Sequence, residues 1–298
     1  KTNTMLCTYF RNGAWTPVES RTDDTIALSA FAGALHYSIE CFEGLKAFRG
    51  KDGKVRLFRP EENAMRLRRS AEFLGIEAPS VEMFVEMCKQ VVKENLDFLP
   101  PYESRASLYL RPTLIGFNPQ LGVASSSETM FMVLCSPVGA YTGGNLEPIN
   151  CVIARNYDRA APNGTGSHKV GGNYACSLRS LNIAHSQGYK AVLYPSTKKM
   201  IDEFNSSNFF AIKGNSYITP LSDTILPSIT NKSLEDAARY LGMNVERRPV
   251  PVEELSTFEE VGECGTAVVI TPVSHLDDKP TLESEEVTRY TYVEEGCG

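Results

Sequence analysis

The chain has 298 residues, of which 42% are hydrophobic, 9% aromatic and 22% charged. These values are typical of a globular protein, so they exclude a disordered, collagen-like or low-complexity chain, and the length favours two domains over one large α/β domain. The 30 basic and 36 acidic residues give a net charge of −6, which argues against nucleic-acid binding because such proteins carry a basic excess.

Membrane, metal and disulfide classes are also disfavoured. No stretch reaches the roughly 20 consecutive apolar residues that a membrane-spanning helix needs, and the N-terminus lacks a secretory signal pattern. The 8 cysteines and 4 histidines are scattered, without the spacing of a metal site or a disulfide framework. We therefore expect a soluble protein of the cytoplasm or, if a transit peptide has been removed, of an organelle matrix.

The first half of the chain mixes strands and helices. A hairpin is predicted around Tyr9 to Gly13, and amphipathic helices are predicted over 61–74 and 81–96, where apolar residues recur every three or four positions. Two apolar runs rich in β-formers, 106–116 and 129–138, predict strands.

An interdomain linker is predicted at 139–148, which contains three glycines and a proline and shows no periodicity. It separates a small N-terminal α/β domain, 1–138, from a large C-terminal domain, 149–298. In the large domain strands and helices alternate, which is typical of an α/β fold. The predicted strands are 149–154, 190–194, 208–212, 244–247 and 266–271, and the predicted helices are 172–186 and 233–240.

Lys169 attracts attention through its glycine-rich surroundings, NGTGSHKVGGNYA at 163–175. A phosphate-binding P-loop is excluded, because His168 precedes the lysine and Val170 follows it, where that motif has Gly and Ser or Thr. A single lysine is usually a solvated surface charge. A lysine partly buried in a glycine-rich loop has a lowered pKa, however, and can act as a Schiff-base nucleophile.

Two later segments also allow a structural and a functional interpretation. Glu203, in IDEFNSSNFFAI at 201–212, is either a surface carboxylate or the partner of the ring nitrogen of a pyridoxal cofactor. The segment TILPSITNKSLEDAARYLG at 224–242 predicts a helix capped by Thr230 or Ser233. Its first N–H groups would also bind an anion such as a phosphate.

Six motifs between Tyr9 and Ser274, in order and at family spacing, resemble those of the branched-chain amino acid aminotransferases, pyridoxal-phosphate enzymes of fold type IV. They are HYSIECFEGLKAFRG at 36–50, SLYLRPTLIG at 107–116, HKVGGNYA at 168–175, the 203–208 segment, ILPSIT at 225–230 and CGTAVVITPVS at 264–274. The resemblance implies a two-domain, mixed α/β (α+β) architecture of fold type IV. It also implies a homodimer with shared active sites that moves the amino group between Leu, Ile or Val and 2-oxoglutarate by a ping-pong mechanism.

The resemblance further implies the roles of the cofactor-binding residues. Lys169 would form the internal aldimine with pyridoxal 5′-phosphate and carry the proton between the substrate α-carbon and the cofactor. Tyr174 would hydrogen-bond the cofactor phenolate oxygen, and Glu203 would keep the pyridine nitrogen protonated. The other cofactor-binding positions implied are Arg66, Ser206, Leu226, Ile229, Thr230 and Thr266.

The implied substrate pocket is apolar and aromatic, which suits branched side chains. Its positions are Tyr37, Phe42, Tyr109, Arg111, Tyr141, Arg159, Thr266 and Ala267, together with the partner's Val123, which lies beside Gly122 in a loop that closes over the neighbouring site. Considered one at a time, Tyr37, Phe42 and Tyr109 are best interpreted as core residues, whereas the resemblance favours their place in the substrate pocket. Arg111, Arg159 or a tyrosine hydroxyl is the candidate partner for the distal carboxylate of glutamate.

Two features depart from the family pattern. Val268 and Thr271 stand where some members have a redox C-x-x-C, so no thiol switch is expected there. The closing helix that usually follows the stretch near Gly296 and Gly298 is missing, so a truncated C-terminus is expected.

The sequence disfavours three alternative functions. D-amino acid aminotransferase and aminodeoxychorismate lyase share the lysine and the glutamate but not HYSIECFEGLKAFRG. A non-catalytic pyridoxal-phosphate carrier is disfavoured because Tyr174, Glu203 and the pocket aromatics occur together.

Overall fold

The computed structural model describes residues 2–139, 146–161, 163–196 and 199–292. The chain divides into two compact units, Lys1–Gly143 with His168–Gly171 and Gly144–Ser167 with Gly172–Gly298. Residues 168–171 thus belong to the first unit, although the predicted layout placed them in the second domain. A short return of the chain to an earlier unit has no compositional signal, which is why the sequence could not indicate it. Of the predicted linker, 140–145 lies outside the described residues.

The first unit contains an eight-stranded sheet in the described part of the chain, in the order β2-β1-β8-β7-β5-β6, with β3 also on β1 and β4 also on β7. Its strands are β1 (Met5–Arg11), β2 (Ala14–Trp15), β3 (Glu19–Arg21), β4 (Glu40–Phe42), β5 (Leu45–Arg49), β6 (Val55–Leu57), β7 (Ser107–Gly116) and β8 (Thr129–Val138). Its helices are α1 (Gly33–Tyr37), α2 (Pro60–Leu74) and α3 (Val81–Glu94), and short 3₁₀ turns follow at Leu96–Phe98 and Tyr102–Ser104.

The apolar periodicity of the two long helices produces the core of this unit. Leu67 of α2 and Phe84 of α3 are fully buried in one cluster with Leu110 and Phe131 of the sheet. Both predicted helices are confirmed, but α3 ends at Glu94 rather than at 96. The Asn95 side chain donates to the Val91 carbonyl at 2.7 Å and so satisfies one of the last helical acceptors. The predicted hairpin is confirmed as β1–β2, and Asn12 and Gly13 take the positive φ values that its turn requires.

The second unit is built on a nine-stranded sheet within the described ranges, in the order β11-β10-β9-β16-β15-β12-β13-β14, with β17 on β16. Since β11 also pairs with β12, six of these strands close into a barrel. The strands are β9 (Ile149–Ala154), β10 (Ala191–Pro195), β11 (Ile201–Phe204), β12 (Asn208–Lys213), β13 (Ser216–Pro220), β14 (Asn244–Arg248), β15 (Glu260–Gly265), β16 (Val269–Lys279) and β17 (Thr288–Thr291). The helices are α4 (Gly171–Ser186) and α5 (Ile229–Tyr240), with a 3₁₀ segment at Val252–Thr257.

Parallel pairs (β9 with β10 and β16, β13 with β14) and antiparallel pairs occur in the same sheet, so the predicted mixed α/β fold class is confirmed. The predicted strands 149–154, 190–194, 208–212 and 244–247 and the predicted helix 172–186 are confirmed to within one residue at each end. None of the described helices is long and apolar enough to cross a membrane.

The predicted strand at 266–271 is wrong in its first half. Residues 266–268 form the turn between the antiparallel strands β15 and β16, where Gly265 pairs with Val269. Val269 has φ 58°, a left-handed conformation that a β-branched residue rarely adopts. The apolar run favours a strand, and its composition cannot reveal a chain reversal inside it.

The predicted start of α5 is also wrong. The helix begins at Ile229, and its cap is Ser228, whose Oγ accepts the Asn231 N–H at 3.1 Å. Ser233 lies inside the helix and donates to the Ile229 carbonyl at 2.8 Å. Several hydroxyl residues in a row made the cap ambiguous, because each of them suits that position.

We expect Ser228→Ala to destabilise the first turn of α5 by about 1 kcal/mol, because the Asn231 N–H loses its acceptor. Ser233→Ala is the matched control and should have a much smaller effect, since a hydroxyl inside a helix adds little to its stability. Amide hydrogen exchange in the first turn measures both. Equal effects of the two substitutions would contradict the assignment of Ser228 as the cap.

Candidate active site

The backbone around Lys169 is bound to β4 and α2 of the first unit. The Phe42 N–H donates to the Lys169 carbonyl at 3.1 Å, and Cys41 and Val170 form an antiparallel bridge. On the other side, the Lys169 N–H donates to Ser70 Oγ at 2.9 Å. These main-chain contacts alone hold the lysine in place, independently of what its side chain binds.

The surroundings of the Lys169 amine disfavour its charge. Desolvation lowers its pKa to about 8, the Arg66 and Arg111 guanidinium groups act in the same direction, and Glu43 and Tyr109 oppose them. The amine lies 4.9 Å from the centre of the Phe42 ring. Roughly a tenth of this amine is therefore neutral, and hence nucleophilic, at pH 7, far more than of an ordinary lysine.

Three predicted substrate residues lie together in the first unit. The Arg111 guanidinium lies over the rings of Phe42 and Tyr109, at 4.7 and 5.4 Å from their centres, and donates to the Tyr109 hydroxyl at 3.1 Å. Tyr109 and Arg111 are two positions apart on β7 and so share one face of the sheet. Arg111 Nε is buried without a hydrogen-bond partner.

Arg66, a predicted phosphate ligand, forms a two-point ion pair with Glu43. Nε and Nη2 donate to the two Glu43 oxygens, each at 2.7 Å, and both side chains are buried. Asn63 Nδ2 donates to Glu43 Oε2 at 2.8 Å. Glu43 was not among the predicted site residues, although a carboxylate inside an otherwise apolar strand region signals a buried pair.

The other predicted substrate positions of the first unit lie at its surface or outside the described residues. Tyr37, on α1, is exposed and donates to the Leu121 carbonyl. Val123 is 83% exposed, in the loop between β7 and β8. Tyr141 is outside the described residues.

In the second unit, Glu203 is buried on β11 with a full set of donors. The Leu226 N–H donates to Oε1 and Asn208 Nδ2 to Oε2, both at 2.9 Å. Arg159 Nη2 lies 2.7 Å from Oε1. The interpretation of Glu203 as a surface carboxylate is therefore wrong.

Arg159, a predicted substrate ligand, is engaged with the protein itself. Besides Glu203, its Nη2 donates to the Gly166 carbonyl at 3.1 Å and to the Thr224 carbonyl. Its guanidinium is buried, so it orients Glu203, a role that the sequence did not suggest. The sequence holds only a general signal for this role, because a buried carboxylate needs a partner of opposite charge but nothing in the sequence says which arginine supplies it.

The remaining cofactor positions lie at turns and helix starts of the second unit. Ile229 and Thr230 open α5, where the first N–H groups have no acceptor inside the helix. Thr266 and Ala267 occupy the β15–β16 turn. Tyr174 is in the first turn of α4, and Ser206 is exposed in the β11–β12 turn. Within the residues that the structure describes, no three His, Cys, Asp or Glu side chains gather as metal ligands.

Comparison with known proteins gives consistent results. The profile of amino-transferase class IV matches residues 40–276. A branched-chain-amino-acid aminotransferase of Helicobacter pylori is 46% identical over 281 residues, which is 93% of this chain and 83% of that protein. The structure of an Escherichia coli branched-chain amino acid aminotransferase superposes with a TM-score of 0.80 at 27% identity, covering 96% of this chain and 90% of that one. The T.th. branched-chain amino acid aminotransferase with pyridoxamine 5′-phosphate superposes with a TM-score of 0.78 at 27% identity, covering 93% and 86%.

We expect the Lys169 amine to react with aldehydes at a rate that rises with pH and reaches half its maximum near pH 8. An ordinary lysine, with a pKa of about 10.4, reaches half its maximal rate at a much higher pH. Because the unfolded chain holds this proton more tightly, stability should also rise with pH between about 8 and 10.4 through this residue. Residue-resolved reductive methylation, on protein stripped of bound aldehydes, measures the rate. A midpoint shared with the exposed lysines would contradict the desolvation of this amine.

Proposed function

Because the chain belongs to amino-transferase class IV and, within it, to the branched-chain amino acid aminotransferases, we propose that it transfers the amino group of L-leucine, L-isoleucine or L-valine to 2-oxoglutarate. The products are the branched-chain 2-oxo acid and L-glutamate. The amino group and the keto oxygen change places between two acids, so no external oxidant or reductant is needed. The observation that carries the proposal is the desolvated Lys169 amine beside Phe42, Tyr109 and Arg111.

Enzymes of this class use pyridoxal 5′-phosphate, which supplies the electron sink for chemistry at the α-carbon. The residues present fit that group. Lys169 provides an amine with a lowered pKa, Glu203 an acceptor-only carboxylate and Tyr174 a phenol. Thr266 and the start of α5 at Ile229 and Thr230 provide hydroxyl and N–H donors suited to a phosphate, whereas the charge of Arg66 is already balanced by Glu43.

Lys169 has two tasks in this proposal. Its Nζ would hold the cofactor when no substrate is bound. Its amine would also take the proton from the substrate α-carbon and hold it for return. A pKa of about 8 suits both steps, because a general base works best when its pKa lies near the working pH. The donor leaves as a 2-oxo acid before the acceptor binds, which makes the kinetics ping-pong.

Glu203 keeps a proton on the cofactor ring nitrogen in this proposal. A carboxylate can only accept, and the donors of Arg159, Asn208 and the Leu226 backbone fix its orientation. Such fixed groups need no reorganisation during the reaction. Asn208 and Arg159 are thus positioning residues for Glu203.

Phe42 and Tyr109 offer ring surface to a branched side chain, and Arg111 offers a charge to the distal carboxylate of glutamate. The buried Arg111 Nε without a partner supports this, because an unsatisfied buried donor costs roughly 1–3 kcal/mol and an incoming carboxylate would relieve it. The engagement of Arg159 with Glu203 makes Arg111 the better candidate of the two.

We also propose a homodimer. Large apolar side chains are exposed on and around α1 and the 117–126 loop, namely Phe31, Leu35, Leu121 and Val123, with exposed fractions of 51–83%. A surface of this kind is typical of a protein interface. It agrees with the implied role of the partner's Val123. Residence in the cytoplasm or an organelle matrix stays a prediction.

We expect Glu203→Gln to retain the cofactor but to lose transamination by orders of magnitude, because a neutral amide cannot hold the ring nitrogen protonated. Borohydride reduction should still fix the cofactor on the peptide that contains Lys169. Asp202→Asn is the matched control, a buried carboxylate one position earlier on β11 that accepts from Thr224 at 2.6 Å. Near-normal turnover of Glu203→Gln, or labelling at another lysine, would contradict the assigned roles.

The substrate proposal is tested with an amino-acid panel and 2-oxoglutarate as acceptor. The wild-type enzyme should use L-leucine, L-isoleucine and L-valine well and L-glutamate usably. Each buried methylene contributes about 0.8 kcal/mol, so L-leucine should exceed L-alanine by roughly two orders of magnitude in kcat/KM. D-alanine turnover as fast as that of L-leucine would contradict the proposed pocket and favour a fold relative.

In the same assay, Arg111→Leu should lower kcat/KM for 2-oxoglutarate roughly 10- to 100-fold, as expected for a lost hydrogen bond to a charged group, and should affect L-leucine much less. Tyr109→Phe keeps the ring and removes the hydroxyl to which Arg111 donates, so it separates the two contributions. Equal losses for both substrates in Arg111→Leu would show that this guanidinium does not select the distal carboxylate.

A further inference from the structure

Glu40, which has no role in the function proposed above, bonds to the segment that carries Lys169. It is the first residue of β4, and its Oε1 lies directly against the Gly171 backbone, whose N–H lowers the pKa of the Glu40 carboxyl as a hydrogen-bond donor does. The approach is so close that a Cβ atom added to Gly171 would overlap Glu40 Oε1. Gly171 follows Lys169 by two positions and is the first residue of α4.

The contact completes a series along β4. Phe42 bonds to Lys169 through its main chain, Cys41 bridges Val170, and Glu40 reaches Gly171, so the two segments run antiparallel, residue against residue. The series cannot continue as backbone pairing, because the chain turns into a helix at Gly171. The N–H of a first helical residue has no acceptor within its own helix, and the Glu40 side chain supplies one.

We propose that Glu40 is a positioning residue for Lys169, which it holds in place through the Gly171 N–H. Ser70 fixes the N–H of Lys169, Phe42 fixes its carbonyl, and Glu40 fixes the chain two residues further on. Without Glu40, the contacts of this segment with β4 and α2 would all lie before the start of α4, and none would fix its first helical residue, Gly171. This proposal rests on the proposed function for the chemical role of Lys169, whereas the contacts of Glu40 do not depend on that function.

Charge balance points the same way. Desolvation raises the pKa of the Glu40 carboxyl, while the Gly171 N–H and the Arg111 charge lower it. Arg111 in turn lowers the pKa of Lys169, together with Arg66 and against Glu43 and Tyr109. Glu40 and Lys169 therefore share Arg111 as a charged neighbour.

Two substitutions separate the hydrogen bond from the charge. Glu40→Ala removes both, whereas Glu40→Gln keeps an oxygen that can accept the Gly171 N–H. Glu128→Ala is the matched control, because Glu128 is a partly exposed carboxylate of the same unit, 3.7 Å from Arg11. All variants are made in the full chain.

The first readout needs no activity. In Glu40→Ala we expect the Gly171 amide to exchange its hydrogen about tenfold faster or more, as expected for a lost hydrogen bond to a charged group. We also expect the pH midpoint of Lys169 methylation to move up toward that of an exposed lysine, because the loosened segment lets the amine reach solvent. Glu40→Gln, which keeps a neutral acceptor, should raise the Gly171 exchange by only a few fold, and Glu128→Ala should leave it within about twofold of wild type.

The second readout is turnover of the loaded enzyme. Glu40→Ala should lower kcat for L-leucine about tenfold with little change in KM, and Glu40→Gln should recover most of it, as expected for a misplaced but intact reacting group. Unchanged Gly171 exchange and kcat in Glu40→Ala, or a loss in Glu40→Gln as large as in Glu40→Ala, would overturn the proposal. A wild-type chain without transaminase activity would contradict the proposed function alone, since amide exchange and Lys169 methylation would still decide the role of Glu40.

Discussion

The desolvation of the Lys169 amine is the constraint on which the site depends. An ammonium group removed from water is destabilised relative to the neutral amine, and the neutral amine is the form that attacks a carbonyl carbon. Such an environment requires a fixed backbone, because a mobile lysine would extend its long side chain into solvent. The hydrogen bonds that the 169–171 backbone makes with Phe42, Ser70 and Glu40 meet this requirement, and they explain why residues 168–171 pack with the first unit.

Both units hold a buried carboxylate in the same way. Glu43 is bound by Arg66 and by the Asn63 amide, and Glu203 is bound by Arg159 and by the Asn208 amide. In each set an arginine balances the charge, and a side-chain amide donates a further hydrogen bond to the carboxylate. Removal of one partner from such a set is costly, since the other is left buried and uncompensated. A rigid charged group of this kind suits a catalytic site, where a reacting centre must meet fixed dipoles and charges.

Local signals in the sequence predicted elements well where the signal spans a whole element. The period of three to four in α2 and α3 and the long β-rich runs of β7 and β8 are such signals. The same local signals did not predict the correct residue where a helix begins or a strand turns. Ser228 could not be distinguished from Thr230 or Ser233 as a cap, and the apolar run at 266–271 concealed a turn. In both cases neighbouring residues have nearly equal local preferences, so contacts made elsewhere in the chain decide between them.

The sequence by itself determined the mixed α/β class, the family, and Lys169 and Glu203 as candidate reacting groups, because these depend on periodicity and on long motifs. Only the tertiary structure decided that 168–171 return to the first unit, that Arg159 binds Glu203, and that Ser70 and Glu40 hold the lysine. These facts depend on contacts between distant positions, such as Ser70 and Lys169, which are 99 positions apart. A local pattern carries no information on such pairs, since folding selects them through the burial and hydrogen bonding of the whole chain.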